Sequence, residues 1–156
     1  MILMGAVLVL AQAAGVSVPE RFGEESRHAP RECVALQVVS PQLPKLRAHP
    51  VFSATRILDI EFRTFLRKKL EGLHTLELKL YTPRANLYQV LTVLFTAPQT
   101  TPVLLEGANR HRINATLPVA GTSIMTNSLY GEWRVEPFLD GRAEPCGPAT
   151  AFVISQ

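Results

Sequence analysis

The sequence predicts an all-β domain, an antiparallel sandwich of about seven or eight strands. Hydrophobic residues alternate with polar ones over several short segments, which is the period of a strand with one buried face. Turn-forming residues separate these segments, and twelve prolines are spread along the 156 residues, which disfavours a helical bundle. The length fits a single domain. A hydrophobic content of 47% argues against wholesale disorder.

The chain begins with an apolar segment, Met1 to Leu10, and the first charged residue is Glu20. A short apolar stretch followed by Ala11-Gln-Ala-Ala14 is typical of a secretory signal peptide, here cleaved after Ala13. No Lys or Arg precedes the apolar stretch, so either the signal is weak or the true start codon lies upstream. A buried N-terminal helix or strand is the alternative. We expect residues 1–13 to be a signal peptide and the protein to be exported, periplasmic or extracellular.

The chain contains two cysteines, Cys33 and Cys146. An even number in an exported chain suggests one disulfide, which would close a loop of more than 100 residues. In a cytosolic chain two free thiols would be expected instead. Neither cysteine belongs to a Cys-x-x-Cys motif or lies close to a histidine, so no metal site is expected. No apolar run reaches the roughly 18 residues that a membrane span needs, so the mature chain should have none.

The first part of the mature chain, residues 14–52, is predicted to be an extended segment attached to the domain. Residues 15–32 have little periodicity and many charges. Cys33–Val39 is a candidate first strand, and three prolines interrupt the chain between that strand and residue 52. The sandwich itself is predicted over residues 53–156.

The next two strands are predicted to form a hairpin. Hydrophobic and polar residues alternate over Leu58–Phe62 and again over Leu76–Leu80, and Gly72 lies between these segments. The sequence Arg67-Lys68-Lys69 is then the exposed turn. The alternative is a helix over 58–71, because hydrophobic residues there also recur at i, i+3, i+4 spacing.

The rest of the chain contains further short strand-like segments separated by turn signals. They are Leu87–Thr96, Val103–Glu106, Arg112–Leu117, Glu132–Glu136 and Thr150–Ser155. Trp133 alternates with charged neighbours and is predicted to be buried. Pro137 is expected to end its strand or to mark an edge, and Asp140-Gly141 is expected to open a turn.

The end of the sequence resembles bacterial immunoglobulin-like modules of exported proteins. Those modules commonly end with a Gly-x-Trp-x-Val strand, an Asp-Gly turn and an apolar strand, as do Gly131–Val135, Asp140-Gly141 and Phe152–Ile154. The segment Gly72–Leu80 is similar to their earlier strands. The resemblance implies an immunoglobulin-like sandwich and names no activity. The cysteines do not flank the tryptophan, so it does not imply the buried inter-sheet disulfide of antibody domains.

The sequence lacks the motifs of common enzyme classes. It has no Gly-x-Ser-x-Gly elbow, no glycine-rich phosphate loop and no His-x-His or His-Glu-x-x-His spacing. We therefore expect no catalytic residues, no cofactor and no metal ion. His74, at the start of a strand, is the histidine that could join a glutamate in a site assembled only in three dimensions.

The candidate binding residues are two basic clusters and two isolated side chains. The clusters are Arg67-Lys68-Lys69 and Arg110-His111-Arg112, and the isolated residues are His74 and Tyr130. Basic clusters attract acidic polymers, lipid headgroups or nucleic acid, although each cluster could equally be a solvated turn. No aromatic residues interleave them, so a stacking platform for nucleic acid is not expected.

These observations favour an exported, non-enzymatic binding or structural module of the cell envelope or extracellular space. It would act through protein–protein or protein–polymer contacts, with no cofactor. Two alternatives remain open at this point. One is a small exported enzyme whose site is assembled only in three dimensions, and the other is a cytosolic regulatory protein with a mis-assigned N-terminus.

Overall fold

The computed structural model describes residues 31–97 and 101–156, and only the backbone of Thr101. The expected signal peptide, residues 1–13, lies outside the described residues. The strands and the one short helix of the described chain are β1 (Cys33–Val39), β2 (Val51–Ser53), β3 (Asp59–Arg67), β4 (Leu73–Tyr81), β5 (Leu87–Thr96), β6 (Thr101–Leu105), β7 (Ala108–Pro118), α1 (Ser123–Thr126), β8 (Gly131–Leu139) and β9 (Thr150–Ser155).

The strands form two sheets that pack face to face. One sheet has the order β1-β3-β7-β6 and the other has the order β2-β9-β8-β4-β5. All strand pairs are antiparallel except β2 with β9, which is parallel. An immunoglobulin domain likewise pairs its first, second, fifth and fourth strands in one sheet and its third, sixth and seventh in the other. If the short β2 and the outer β5 are left out, the remaining strands in chain order are β1, β3, β4, β6, β7, β8 and β9. The first, second, fifth and fourth of these form one sheet, and the third, sixth and seventh lie in the other. This order confirms the predicted immunoglobulin-like sandwich.

Strands β1 and β2 both begin before residue 53, from which the sandwich was predicted to start. Strand β1 pairs with β3, and β2 pairs with β9. The described part of the 14–52 segment therefore contributes one strand to each sheet. Strand β2 has only three residues, which is too short to produce a periodic pattern.

The inner faces of the two sheets meet in a core of large side chains. Trp133, Phe62 and Phe152 are fully buried. The rings of Trp133 and Phe152 stack with centroids 6.2 Å apart, and Phe62 meets Phe152 edge-on at 5.7 Å. The Trp133 Nε1 donates a hydrogen bond of 2.9 Å to the Leu129 carbonyl, so its burial leaves no polar atom unpaired. The predicted core position of Trp133 is confirmed.

The segment around residue 60 is a strand, and the helix considered over 58–71 is wrong. The hairpin predicted between this strand and Leu76–Leu80 is wrong as well, because β3 and β4 lie in different sheets and do not pair. Strand β3 pairs on both sides, with β1 and β7, and this pairing satisfies its backbone. The alternation begins one residue later than expected, because Leu58 is 59% exposed. Its carbonyl accepts the N–H groups of Val119 and Ala120, which places Leu58 in the connection that leads into β3.

The expectation for Pro137 is also wrong, since it lies inside β8, a central strand of its sheet. Its neighbour on the β4 side is Leu78. On the other side, the pairing with β9 ends at Val135, and the Pro137 carbonyl accepts the N–H of Cys146 instead. Proline has no N–H to donate, and at position 137 none is needed, because the pairing with β9 has already ended on that side of the strand.

Cys33 and Cys146 form the predicted disulfide. Cys33 begins β1 in one sheet, and Cys146 lies in the loop between β8 and β9 of the other, so the bond ties the two sheets together at one end. The Cys33 N–H also donates to the Cys146 carbonyl at 2.9 Å. A Cβ at position 147 would clash with the Cys33 carbonyl. Glycine has no Cβ, which allows this close approach.

Replacing both cysteines by serine should lower the free energy of unfolding by about 4 kcal/mol, because the bond closes a loop with a sequence separation of 113. Urea denaturation of the oxidised protein and the double variant measures this difference. Wild-type protein in reducing agent is the control and should match the double variant. Equal stability of the oxidised protein and the double variant would contradict the prediction.

Candidate binding surface

The turn between β3 and β4 presents the first basic cluster. Arg67 is the last residue of β3, and Lys68 and Lys69 are exposed in the turn. Leu70 folds back, because its N–H donates to the Arg67 carbonyl at 3.3 Å and its side chain packs against the core. The partly buried leucine anchors the turn and leaves the two lysines in solvent.

Strand pairing brings the second basic cluster to the same place. In the β3–β7 ladder Arg67 lies opposite Arg110, and Phe65 lies opposite Arg112. Leu66, between these positions, is fully buried on the inner face. Since side chains alternate along a strand, Arg67, Arg110 and Arg112 lie on the outer face of the four-stranded sheet. We call Arg67, Lys68, Lys69, Arg110 and Arg112 the basic end.

The basic end surrounds an open hollow. Arg67, Lys68, Lys69 and Arg110 line a space of about 440 Å³. His111, the remaining residue of the predicted clusters, lies opposite the buried Leu66, and its Nε2 is 3.3 Å from the Lys68 carbonyl. His111 therefore connects β7 to the turn and is not a wall of the hollow.

One carboxylate lies near the basic end, because Glu32, which pairs with Arg142, is also attracted by the charge of Arg67. The ion pairs found within residues 31–97 and 101–156 involve Arg63, His74, Arg134 and Arg142, and none involves the basic end. The Nε of Arg110 is buried and has no hydrogen-bond partner in this part of the chain. Like charges directly opposite each other in a ladder are destabilising, so Arg67 against Arg110 is unfavourable for folding alone.

The disulfide supports the position of Arg67. The Arg67 N–H donates to the Glu32 carbonyl at 3.0 Å, and its Nε donates to the Arg31 carbonyl at 2.9 Å. Both carbonyls directly precede Cys33. The covalent link at Cys33 therefore holds the backbone that orients the Arg67 guanidinium.

His74 lies near the same end of the sandwich but takes part in a separate contact. Its Nδ1 is 2.8 Å from Asp140 Oδ2, and its Nε2 is 2.8 Å from the Glu71 carbonyl. Asp140 Oδ1 also accepts the N–H of Thr75 at 2.9 Å. Both ring nitrogens face acceptors, so both can donate only in the protonated imidazolium. His74 thus links the start of β4 to the turn after β8.

The environment shifts the pKa values of His74 and Asp140 in the directions that favour the charged form of each. The hydrogen bond with Asp140 raises the pKa of His74, against the opposing effect of burial. Burial acts to raise the pKa of Asp140, but the bonds from the Thr75 N–H and from His74 outweigh it and lower that pKa. A histidine with both nitrogens engaged is poorly suited to act as a general base.

Tyr130 is not brought together with the other candidate residues. It is half-buried just before β8 and lines a hollow of about 270 Å³ with residues of the turn that follows β4, Thr82 to Asn86. The basic end adjoins the start of β4, so Tyr130 lies at the opposite end of the sandwich. The sequence offered no means to separate the two ends.

Comparisons with known proteins add only a fold-level similarity. No protein-family model and no curated protein matches the chain. Among solved structures, the chain is similar to a crystal structure of an immunoglobulin-like protein from Pseudomonas aeruginosa, with 16% sequence identity and a TM-score of 0.40, over 80% of this chain and 95% of that one.

Residues 31–97 and 101–156 contain no group of three or more His, Cys, Asp or Glu side chains arranged to hold a metal ion. In those same residues no helix has the length and apolar character for a membrane span.

The His74–Asp140 contact predicts a defined pH window of stability. A lowered Asp140 pKa stabilises above the unfolded carboxyl pKa, about 3.9, and that stability is lost as pH falls through the folded value. A raised His74 pKa stabilises below the unfolded imidazole pKa, about 6.5, and that stability is lost as pH rises through the folded value. The contact should therefore stabilise most between about pH 4 and pH 6.5.

Asp140→Asn should lower the free energy of unfolding by about 1 kcal/mol within this window, and by less on either side. Asparagine keeps the acceptor for Thr75 and tolerates the positive φ of 54° at this position. The measurement is urea unfolding at a series of pH values. Glu136→Gln is the matched control, because Glu136 pairs with Arg134 in an ion pair that contains no histidine. A difference for Asp140→Asn that is constant up to pH values well above the window would exclude this role.

Proposed function

We propose that the chain is an exported, non-enzymatic binding module of the cell envelope or extracellular space, and that its basic end binds an anionic polymer. The observation that carries the proposal is the β3–β7 register, which sets Arg67 opposite Arg110 beside two exposed lysines. A solvated turn explains Lys68 and Lys69 alone. It does not explain two arginines held against each other on an ordered ladder.

An oxyanion would relieve the unfavourable contact on this surface, because it would lie between the like charges of Arg67 and Arg110. Guanidinium groups bind carboxylate and phosphate through paired N–H donors, which makes these contacts stronger than neutral hydrogen bonds. The chemistry of the hollow therefore favours carboxylate or phosphate groups.

The arrangement of the cations suits a polymer with repeated charges. Arg67 and Arg110 lie at the hollow, the lysines extend along the turn, and Arg112 continues along β7 on the same outer face. A chain of anionic groups could contact several of these positions at once. Each contact would release counterions, so the affinity should fall steeply as salt is added.

The disulfide supports the exported location. Disulfides persist in secreted and periplasmic proteins and are rare in the reducing cytosol. This bond also holds the backbone that orients Arg67, so the binding surface would depend on an oxidising compartment. The enzyme alternative gains no support at His74, because both imidazole nitrogens are already engaged.

Binding should be measured by isothermal calorimetry with polyphosphate and with polygalacturonate, which distinguish phosphate from carboxylate groups. We expect wild-type protein to bind at least one of them. The Arg67→Gln, Arg110→Gln double variant should bind about tenfold more weakly or worse, because it loses two charged hydrogen-bond donors, and its salt dependence should be shallower.

The matched control is the Lys79→Gln, Arg134→Gln double variant, which removes the same charge from the outer face of the other sheet. Lys79 stacks on Phe138, and Arg134 lies over Tyr81. This variant should bind nearly as well as wild type. An equal loss in both double variants would show that only net charge matters, and absence of wild-type binding to both polymers would also refute the proposed site.

The exported location predicts the mass of the protein recovered from its native host. Alkylation without prior reduction should label neither cysteine, and alkylation after reduction should label both. The intact mass should lack residues 1–13. A full-length mass with both thiols labelled at once would instead favour the cytosolic alternative.

A further inference from the structure

The two sheets of the described chain have four edge strands, and three of them carry features that hinder pairing with another chain. Strand β2 has three residues and follows Pro50. Strand β6 contains Pro102. Strand β1 has a register shift between Cys33 and Ala35, next to the disulfide. Short length, proline and bulges are the usual protections of exposed sheet edges.

Strand β5 is the exception. It forms the free edge of the five-stranded sheet and is ten residues long. Its sequence, Leu87 to Thr96, contains no charged residue and no proline. The register shift opposite Leu80 and Tyr81 leaves Tyr88 unpaired at the beginning of the strand, but the ladder from Gln89 to Thr96 is regular. An edge of this length without a charge is a template for another strand.

The outer face of β5 itself carries two exposed apolar side chains, whereas Glu77 and Lys79 lie opposite on β4. Val90 is 37% exposed and Leu94 is 66% exposed, and Thr92 lies exposed between them. Leu73, at the start of the neighbouring β4, is 66% exposed. It is two residues from Thr75, which lies opposite Leu94, so Leu73 and Leu94 lie on the same face of the sheet. These side chains form one stripe beside the unpaired backbone.

We propose that β5 pairs with β5 of a second copy of this chain, antiparallel, about a two-fold axis at Thr92. A two-fold axis perpendicular to the sheet pairs residues whose side chains lie on the same face. Because side chains alternate between the faces, paired residues must be an even number of positions apart in the sequence. Centred on Thr92, this register sets Val90 against Leu94 of the second copy on the outer face. On the inner face it sets Leu91 against Val93 of the second copy, so apolar residues meet on both faces.

Two observations favour a second copy over another strand as the occupant. The other three edges in the described chain are protected. The edge best suited to accept an additional strand such as β5 is therefore β5 of another copy. Pairing like with like about a two-fold axis also covers both free edges at once and closes the assembly. The absence of charge in β5 means that self-pairing brings no like charges together.

The test is sedimentation velocity of the mature, oxidised protein from micromolar to millimolar concentration. We expect wild-type dimers that dissociate on dilution. Thr92→Lys and Thr92→Glu should each be monomeric, because the axis sets two like charges side by side. An equimolar mixture of the two variants should form dimers again, since lysine then lies opposite glutamate.

Leu104→Lys is the matched control, because Leu104 is an exposed leucine, at 75%, on the protected edge strand β6. It should dimerise like wild type. Thr92 is exposed, so thermal melts of its variants should remain cooperative. Wild-type protein that stays monomeric throughout, Thr92→Lys dimers as stable as those of wild type, or a mixture that stays monomeric would each overturn the proposal.

Discussion

The bond between Cys33 and Cys146 is the constraint on which the basic end of this molecule depends. It joins the first strand of one sheet to the last loop of the other. The chain on either side is held closely, with the Cys33 N–H on the Cys146 carbonyl and the Cys146 N–H on the Pro137 carbonyl. The Arg31 and Glu32 carbonyls, which hold Arg67, directly precede it. A reducing environment would therefore loosen the basic end as well as lower the free energy of unfolding.

The ladder between β3 and β7 performs two tasks that conflict. Its inner face buries Phe62, Leu66 and Ile113 in the core, and this burial stabilises the fold. Because side chains alternate, the same register sets Arg67 against Arg110 on the outer face. The favourable burial of the inner face maintains a repulsive contact on the outer face, and such local conflicts are characteristic of functional surfaces.

Much of the fold follows from the sequence, because period-two alternation reports which face of a strand is buried. It placed β3, β4, β8 and β9, and it predicted the burial of Trp133. The three-residue strand β2 was missed because it is too short to show a period. Pro137 misled because proline excludes a strand interior only where its missing N–H would face a partner. The two basic clusters were recognised, but their meeting depends on the β3–β7 register, which local patterns do not determine.

The two proposed surfaces lie on different sheets and need not compete. The basic end lies on the four-stranded sheet and its turn, whereas β5 is the outer edge of the five-stranded sheet. The start of β4 adjoins the basic turn and pairs with the last residues of β5. Antiparallel pairing of two β5 strands would therefore direct the two basic ends away from each other. Such a dimer would contact two stretches of anionic polymer at once, and the gain in avidity would require no further contact.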